Sequence, residues 1–252
     1  MMAHMPLRAI RAILFDKDGT LVDFNRTWFG ISKELARRSA GGDEAKARAL
    51  LEEGGYDWEA KRFRANSVIA AGTVEDVVDL WHPDASEADR AALIREYNDY
   101  CVSEGARAAV AIDGLQGALE ALRREGYLLG IATNDSEAGA RATAEALGLT
   151  NLFHTFIGYD TALRPKPHPD PVHHFARATG LEAWNIAMVG DNPHDMETAR
   201  AADAGYAIGV LSGNSSREVL EPLADAVLPS VADLPAFLAS SNKRPVIEKV
   251  RT

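Results

Sequence analysis

Residues 12 to 22 read Ala12-Ile13-Leu14-Phe15-Asp16-Lys17-Asp18-Gly19-Thr20-Leu21-Val22. A short apolar run stops at two carboxylates one residue apart, followed by a glycine and a threonine. The run has the length and composition of a buried strand, and open α/β sheets gather their chemistry outside the C-terminal strand ends. Gly19 permits a sharp turn just after the acids. Two carboxylates leaving one strand end repel each other unless a cation or a proton lies between them. Unit charges about 4 Å apart cost on the order of 4 kcal/mol at an effective dielectric near 20. An acidic surface turn would account for Asp-X-Asp alone. The full Asp-X-Asp-Gly-Thr string arises by chance in roughly one such chain in 300 at average composition, which favours a functional reading.

Outward from this strand the chain changes character. Residues 23–108 carry few strand signals and read as helices over about 26–40, 43–53, 56–71, 74–81 and 87–104. Thr73 with Asp76 and Ser86 with Asp89 form N-cap pairs, and His82-Pro83-Asp84 breaks the chain between the last two segments. Strand–helix alternation then begins. Leu115, Ala118, Leu119 and Leu122 mark one helix face, closed by Gly126. Strands are expected at 128–132, 155–158 and 186–189, with helices over about 137–147, 170–179 and up to 203. Tyr206–Val210 and Ala226–Leu228 are further apolar runs, and a last helix covers about 231–239. Such alternation implies right-handed crossovers and a parallel sheet covered on both faces. The expected fold is α/β, a three-layer Rossmann-like parallel-sheet core formed by residues 1–22 and 109–240. Residues 23–108 are a helical insertion, and 241–252 a polar tail.

The residues just beyond each strand are informative. Asp16 and Asp18 come after the first, Thr133 and Asn134 after the next. Lys166 lies in the Arg164-Pro165-Lys166-Pro167 loop after the third, and Asp191 and Asp195 come after the fourth. Parallel strands place these ends along one edge, so a single crevice would collect them. The collection comprises carboxylates able to hold a divalent cation, hydroxyl and amide donors, and one ammonium. Hard oxygen ligands of this kind suit Mg²⁺. Phosphoryl transfer requires these parts: an in-line nucleophile, a metal, and fixed donors on the equatorial oxygens. Taken singly, Lys166 reads as a solvated loop lysine and Asp195 as a helix first-turn acid favoured by the dipole. Their place in the series favours a site.

In this order the segments resemble the haloacid dehalogenase superfamily in its phosphatase branch. They are most similar to phosphoglycolate-phosphatase-like enzymes with a helical cap inserted after the first strand. Asp16-Lys17-Asp18-Gly19-Thr20 matches the first motif, Thr133-Asn134 the second, Lys166 the third, and Gly190-Asp191 through Asp195 the fourth. The resemblance implies that Asp16 attacks phosphorus to form an aspartyl-phosphate, and that Asp18 protonates the leaving alcohol and later activates water. It implies Asp16, the Asp18 backbone carbonyl and Asp191 as Mg²⁺ ligands, with Asp195 bound through water or standing behind them. Thr133, the Asn134 backbone and Lys166 would hold the phosphoryl oxygens. Asn192-Pro193 departs from the Ser or Thr more usual after the first acid of the fourth motif. In the cap, Arg64, Asn66 and Ser67 are candidates for reading the leaving group, near the Ile69–Thr73 break. Arg64 would suit a carboxylate-bearing substrate such as 2-phosphoglycolate, and otherwise reads as a solvated arginine. Phe24 and Asn25, where the chain leaves the core, are candidates for the entrance or a hinge.

Composition narrows the class. The chain has 252 residues, 46% hydrophobic and 25% charged, with a single cysteine, Cys101. That balance is ordinary for a globular protein, no apolar stretch approaches the ~20 residues of a membrane span, and the N-terminus lacks a secretory apolar segment. One cysteine excludes an internal disulfide and suits a reducing cytoplasm. The net charge is −10, and no basic stripe marks a nucleic-acid binder. An acidic protein that handles an anion must concentrate positive charge locally, through a metal, a lysine or a helix N-terminus. His168, His173 and His174 match no zinc spacing and read as surface or helix-start residues. Trp28, Trp58, Trp81 and Trp184 read as packing.

The expected function is a cytoplasmic, Mg²⁺-dependent phosphatase acting on a small phosphate ester, with neither nucleic acid nor membrane as partner. Monomer and homodimer both stay open. A phosphosugar mutase keeps both acids of the first motif and is the nearest rival. A dehalogenase is not expected to keep Asp18. A phosphonate hydrolase would carry a small residue there and a cap lysine, and Lys33, Lys46 and Lys61 sit in no such motif. A regulatory protein that binds phosphate without turnover, as receiver domains do, would lack the large insertion and the second acid.

Overall fold

The computed structural model describes residues 10–242. Strands in chain order are β1 (Ala12–Phe15), β2 (Tyr56–Asp57), β3 (Arg62–Phe63), β4 (Leu128–Ala132), β5 (Thr155–Ile157), β6 (Ile186–Gly190), β7 (Tyr206–Val210) and β8 (Ala226–Leu228). The helices α1 (Phe24–Ser39), α2 (Glu44–Glu53), α3 (Val68–Ala71), α4 (Val74–Trp81) and α5 (Glu87–Ala108) lie between β1 and β4. They are followed there by α6 (Leu115–Arg124). Later helices are α7 (Glu137–Ala146), α8 (Asp170–Thr179), α9 (Pro193–Ala201), α10 (Arg217–Leu220) and α11 (Leu234–Asn242). No helix among the described residues is long and apolar enough to cross a membrane. Apart from the two residues that end α11, the expected polar tail lies outside the described residues.

β1 is buried along its whole length and pairs in parallel with β4 on one side and β6 on the other. A strand flanked on both edges and covered on both faces has to be uninterruptedly apolar, as this one is. The full sheet runs β5-β4-β1-β6-β7-β8, all parallel. The chain steps outward from β1 through β4 to β5, then crosses back to β6 and steps outward again. The switch point therefore lies between β1 and β6, where crossovers to opposite faces part and leave a crevice at the carboxyl ends.

The strand period of two divides the core. Ile13 and Phe15 face a cluster with Leu119 and Leu122 of α6, Ala140 of α7, and Leu234 and Leu238 of α11. Ala12 and Leu14 face the other side, with Phe175 of α8, Met196 of α9 and Leu220 of α10. These are the three layers expected from the alternation.

The insertion has an apolar cluster of its own, built from Ile31, Leu35, Leu51, Tyr56, Phe63, Val78, Trp81 and Tyr97 among others. Its entering and leaving segments pair with each other: Asp23 N–H donates to the Val110 carbonyl at 2.8 Å, and Ile112 N–H to that of Leu21 at 3.0 Å. The Thr73–Asp76 capping box and the Ser86 cap are both formed. The helix expected over 56–71 is not. In its place stand the β2–β3 hairpin and the short α3. The Asp57 carboxylate turns back to accept the N–H groups of Glu59 and Ala60, and Lys61 and Asn66 take positive φ. Local side-chain bonding of this kind competes with helix. Tyr56, Trp58 and Phe63 then pack as an aromatic group with Phe29 of α1, whose ring stacks on Tyr56 at 4.6 Å. Trp184 also departs from its packing assignment, being 43% exposed.

Candidate active site

The switch point brings together residues far apart in the chain. Asp16 follows β1, and its N–H donates to Val189 of β6 at 2.8 Å. Lys166 reaches in from the loop after β5, its Nζ 2.5 Å from Asp16 Oδ1 and 2.6 Å from Asp195 Oδ1. Asp16, Asp191 and Asp195 are buried, and each offers an oxygen within 4.8 Å of the others. Burial raises the Asp16 carboxyl to about 7, with Asp195 and Asp18 adding to the rise and Lys166 opposing it. Burial, with Asp16 and Asp195 beside it, pushes Asp191 well above the usual carboxylate range. Three carboxylates against one ammonium leave two uncompensated charges, the deficit a divalent cation would close. The all-oxygen donor set suits a hard ion.

Glycines admit these carboxylates. A Cβ on Gly213 would fall 1.9 Å from Asp191 Oδ2, and one on Gly19, at φ +86°, within 2.6 Å of the same carboxyl. Asp191 Oδ2 accepts the Asn214 N–H at 2.9 Å, so the loop after β7 closes that side. Asp195 is a first-turn acid and a site residue at once. Its Oδ2 accepts the Asn192 N–H at the start of α9, completing a capping box, while Oδ1 takes Lys166. Asn192, the departure in the fourth motif, is thus the helix cap, as Ser or Thr would be.

A second cation lies one residue from the first acid. Lys17 is 2% exposed, with Nζ 2.7 Å from Asp18 Oδ2 and 3.0 Å from Asp135 Oδ2. Against the burial that would lower it, Asp18 and Asp135 hold the Lys17 ammonium firmly charged, and burial raises the Asp135 carboxyl. Trp28 of α1 donates its indole N–H to Asp18 Oδ1 at 2.5 Å, and its ring lies 5.1 Å from Lys17 Nζ. The sequence reading gives no role to Lys17 or Asp135 and only packing to Trp28. The signal for Asp135 is its place beside Thr133-Asn134 at a strand end. The loop Ser212-Gly213-Asn214 after β7 offers the same signal.

Thr133 is buried, its hydroxyl accepting the Asp135 N–H at 3.0 Å. The Asn134 side chain is committed to structure: its amide donates to the carbonyls of Ala71 and Lys166 and accepts the Lys166 N–H. A cavity of about 90 Å³ lies over these groups, lined by the three carboxylates, Asp18, Thr133, Asn134 and Lys166 on one side and by the insertion on the other. Phe24 lines it. Asn25 instead ties the insertion to the core, donating to Asn214 Oδ1 at 2.9 Å and accepting the Phe63 N–H. Arg64, Asn66 and Ser67 do not line the cavity. Arg64 is exposed and donates to the Glu52 carbonyl at 2.8 Å, Asn66 occupies a positive-φ turn, and Ser67 stands at the N-cap position of α3 with its hydroxyl making no cap bond. The segment Ile69–Thr73 just after them reaches the cavity instead. Cys101 also lines it, and burial pushes its thiol well up, away from nucleophilic chemistry.

Residues 10–203 match the haloacid dehalogenase-like hydrolase family. The chain is 35% identical over 231 residues to a phosphoglycolate phosphatase of Rhodospirillum rubrum, covering 90% of each. Among solved structures, a Haemophilus somnus protein described as a predicted phosphoglycolate phosphatase superposes with TM-score 0.69. It has 22% identity, over 91% of this chain and 98% of the other. CbbY of Rhodobacter sphaeroides in complex with phosphate gives 0.65 at 19% identity, over 89% and 96%. With its parallel sheet and strand-end acids, the chain belongs to the haloacid dehalogenase-like hydrolase family, in its phosphoglycolate-phosphatase-like branch, and is a phosphoric monoester hydrolase.

Proposed function

We propose that the protein is a Mg²⁺-dependent phosphatase that hydrolyses a small-molecule phosphomonoester through an aspartyl-phosphate on Asp16. The observation that carries this reading is the convergence of Asp16, Lys166, Asp191 and Asp195 at the β1/β6 switch point. Asp16 is the nucleophile: its carboxylate forms a bond to phosphorus as the ester P–O bond breaks. Lys166, anchored on Asp195, holds Asp16 Oδ1 and offers positive charge to the incoming phosphoryl oxygens. The Thr133 hydroxyl and the Asn134 backbone supply further donors. Asp18 gives its proton to the departing alkoxide, then takes one from the water that attacks phosphorus and frees Asp16. Asp16, Asp191 and the Asp18 carbonyl would hold Mg²⁺, with Asp195 behind them. When bound, the ion offsets charge on the phosphoryl group and orients it for in-line attack.

In this reading residues 10–22 and 109–240 form the catalytic core and 23–108 a cap over the crevice, residues 1–9 of the expected core lying outside the described residues. The hydrogen-bonded crossing of the two connecting segments at Asp23 and Val110 and the separate apolar cluster support that division. The Rhodospirillum rubrum relative places 2-phosphoglycolate on any substrate panel. The test is phosphate release from p-nitrophenyl phosphate and metabolite phosphates, with Mg²⁺ and with EDTA. Mg²⁺-dependent release is expected, with none from Asp16→Asn. Full activity in purified Asp16→Asn would falsify the nucleophile, and isomerised sugar phosphate without free phosphate would make the enzyme a mutase.

A further inference from the structure

We infer that the alcohol released by this enzyme carries a compact, uncharged, apolar body, and not a carboxylate. The inference rests on the phosphatase reading above and concerns the wall that faces the phosphate end of the cavity. That wall is made by Phe24, Trp28, Leu35, Ile69, Val77 and Trp81, all from the insertion. Trp28, Ile69 and Val77 are only partly buried, so they keep apolar surface that a ligand can cover.

Apart from the Ser32 hydroxyl and the Cys101 thiol, two uncharged groups that also line the cavity, the polar side-chain atoms of this wall are already satisfied within the protein. Trp81 donates its indole N–H to the Leu50 carbonyl at 3.0 Å, and Trp28 donates to Asp18. The Tyr97 hydroxyl meets Ser39 and His82, and the Thr73 hydroxyl is bound to Asp76 at 2.8 Å. The surface these residues turn toward the cavity is hydrocarbon and ring.

The charges sit on the other side. Asp16, Asp18, Asp135, Asp191 and Asp195 line the cavity, with Lys166 its ammonium, and that ammonium is already held by two carboxylates. Arg64, the arginine best suited by sequence to a substrate carboxylate, stands outside. A leaving group ending in –COO⁻ would meet carboxylates on one side and hydrocarbon on the other, with its lost hydration unreplaced. His194, at the first turn of α9 on the core side, has a buried Nδ1 without a partner and lines the cavity.

The test measures phosphate release by the full-length protein with Mg²⁺. Isobutyl phosphate and 2-phosphoglycolate are similar in shape and differ in the charge and polarity of the terminal group. We expect kcat/KM at least tenfold higher for isobutyl phosphate. Along methyl, ethyl and propyl phosphate, kcat/KM should rise about fourfold per methylene, the effect of burying about 0.8 kcal/mol of CH₂. Val77→Arg, or Ile69→Lys if the first fails to fold, should shift the ratio toward 2-phosphoglycolate. A flat alkyl series, or 2-phosphoglycolate equal to or better than isobutyl phosphate, overturns the inference and leaves the phosphatase reading standing. No release from any ester, p-nitrophenyl phosphate included, defeats both.

Discussion

Both oxygens of Asp18 are engaged within the protein itself, Oδ2 by Lys17 at 2.7 Å and Oδ1 by the Trp28 indole at 2.5 Å. Trp28 belongs to α1, so the insertion helps to orient the acid proposed to move protons. Trp28→Phe keeps an aromatic ring but removes the donor. A hydrogen bond to a charged group contributes about 1.5–3 kcal/mol, so kcat is expected to fall roughly tenfold to a hundredfold in steady-state assays, with far-UV dichroism unchanged. Lys17→Met strands two carboxylates, one of them the buried Asp135. Breaking a buried pair from one side costs about 3–5 kcal/mol, which denaturant unfolding would register. Adding Asp135→Asn to Lys17→Met should recover part of that loss, whereas simple additivity would mean the two side chains are not coupled. At this scale the motif acids were legible because each ends an apolar run. Lys17 was visible in the same string, yet its direction was not. Whether a residue between two acids points outward or folds back is decided by Asp135, which lies over a hundred positions away.

The loop after β7 positions an acid from a neighbouring strand end. Gly213 leaves room for Asp191, and Asn214 donates to it. Gly213→Ala would drive a methyl into that carboxyl and push it from its place. The expected outcome is Mg²⁺ affinity weakened at least tenfold by calorimetric titration, with little change in secondary structure. Thr73 has a different part, capping α4 reciprocally with Asp76 at the edge of the cavity. Thr73→Ala should destabilise the protein by about 1 kcal/mol, read as a lower denaturant midpoint. Among the elements, the six core strands and most helices follow from period and punctuation, as do both cap pairs. Residues 56–71 do not, since their helix-like composition is overridden by the Asp57 turn and by the stacking of Tyr56 on Phe29. No local pattern reports a ring supplied by another helix.

Across the whole molecule, insertion and core are joined at several points. The long α5 packs against α7, Asn98 donates to the Tyr159 hydroxyl at 2.7 Å, and Asn134 and Asn25 add further ties. The crevice they enclose concentrates like charge, and this links stability to pH. Asp16, at about 7, and Asp191 are both held above their ordinary range in the metal-free fold. A carboxyl with a raised folded pKa contributes stability that is complete below about pH 4 and lost as pH rises through the folded value. Metal-free protein should therefore melt progressively lower from pH 5 to pH 8 relative to Asp191→Asn, which removes one of the crowded charges. Mg²⁺ should raise the melting temperature of the parent chain more at pH 8 than at pH 5.5, and that of Asp191→Asn hardly at all. Differential scanning fluorimetry with and without Mg²⁺ decides it, and a gain independent of pH would place the ion elsewhere.

Taken by itself, the amino-acid order determined the parallel α/β core, the helical character of the insertion, and the acids, hydroxyl, amide and lysine at the strand ends. Those features are local: an apolar run, a glycine and the next residue can be recognised without knowing their neighbours. Only the tertiary structure decided the β2–β3 hairpin, the Lys17–Asp135–Trp28 clasp on Asp18, and the turning of Arg64 away from a cavity walled by hydrocarbon. Each depends on side chains distant in the chain meeting in space. That outcome is set by packing and by the burial of charge, which no spacing along the polymer encodes.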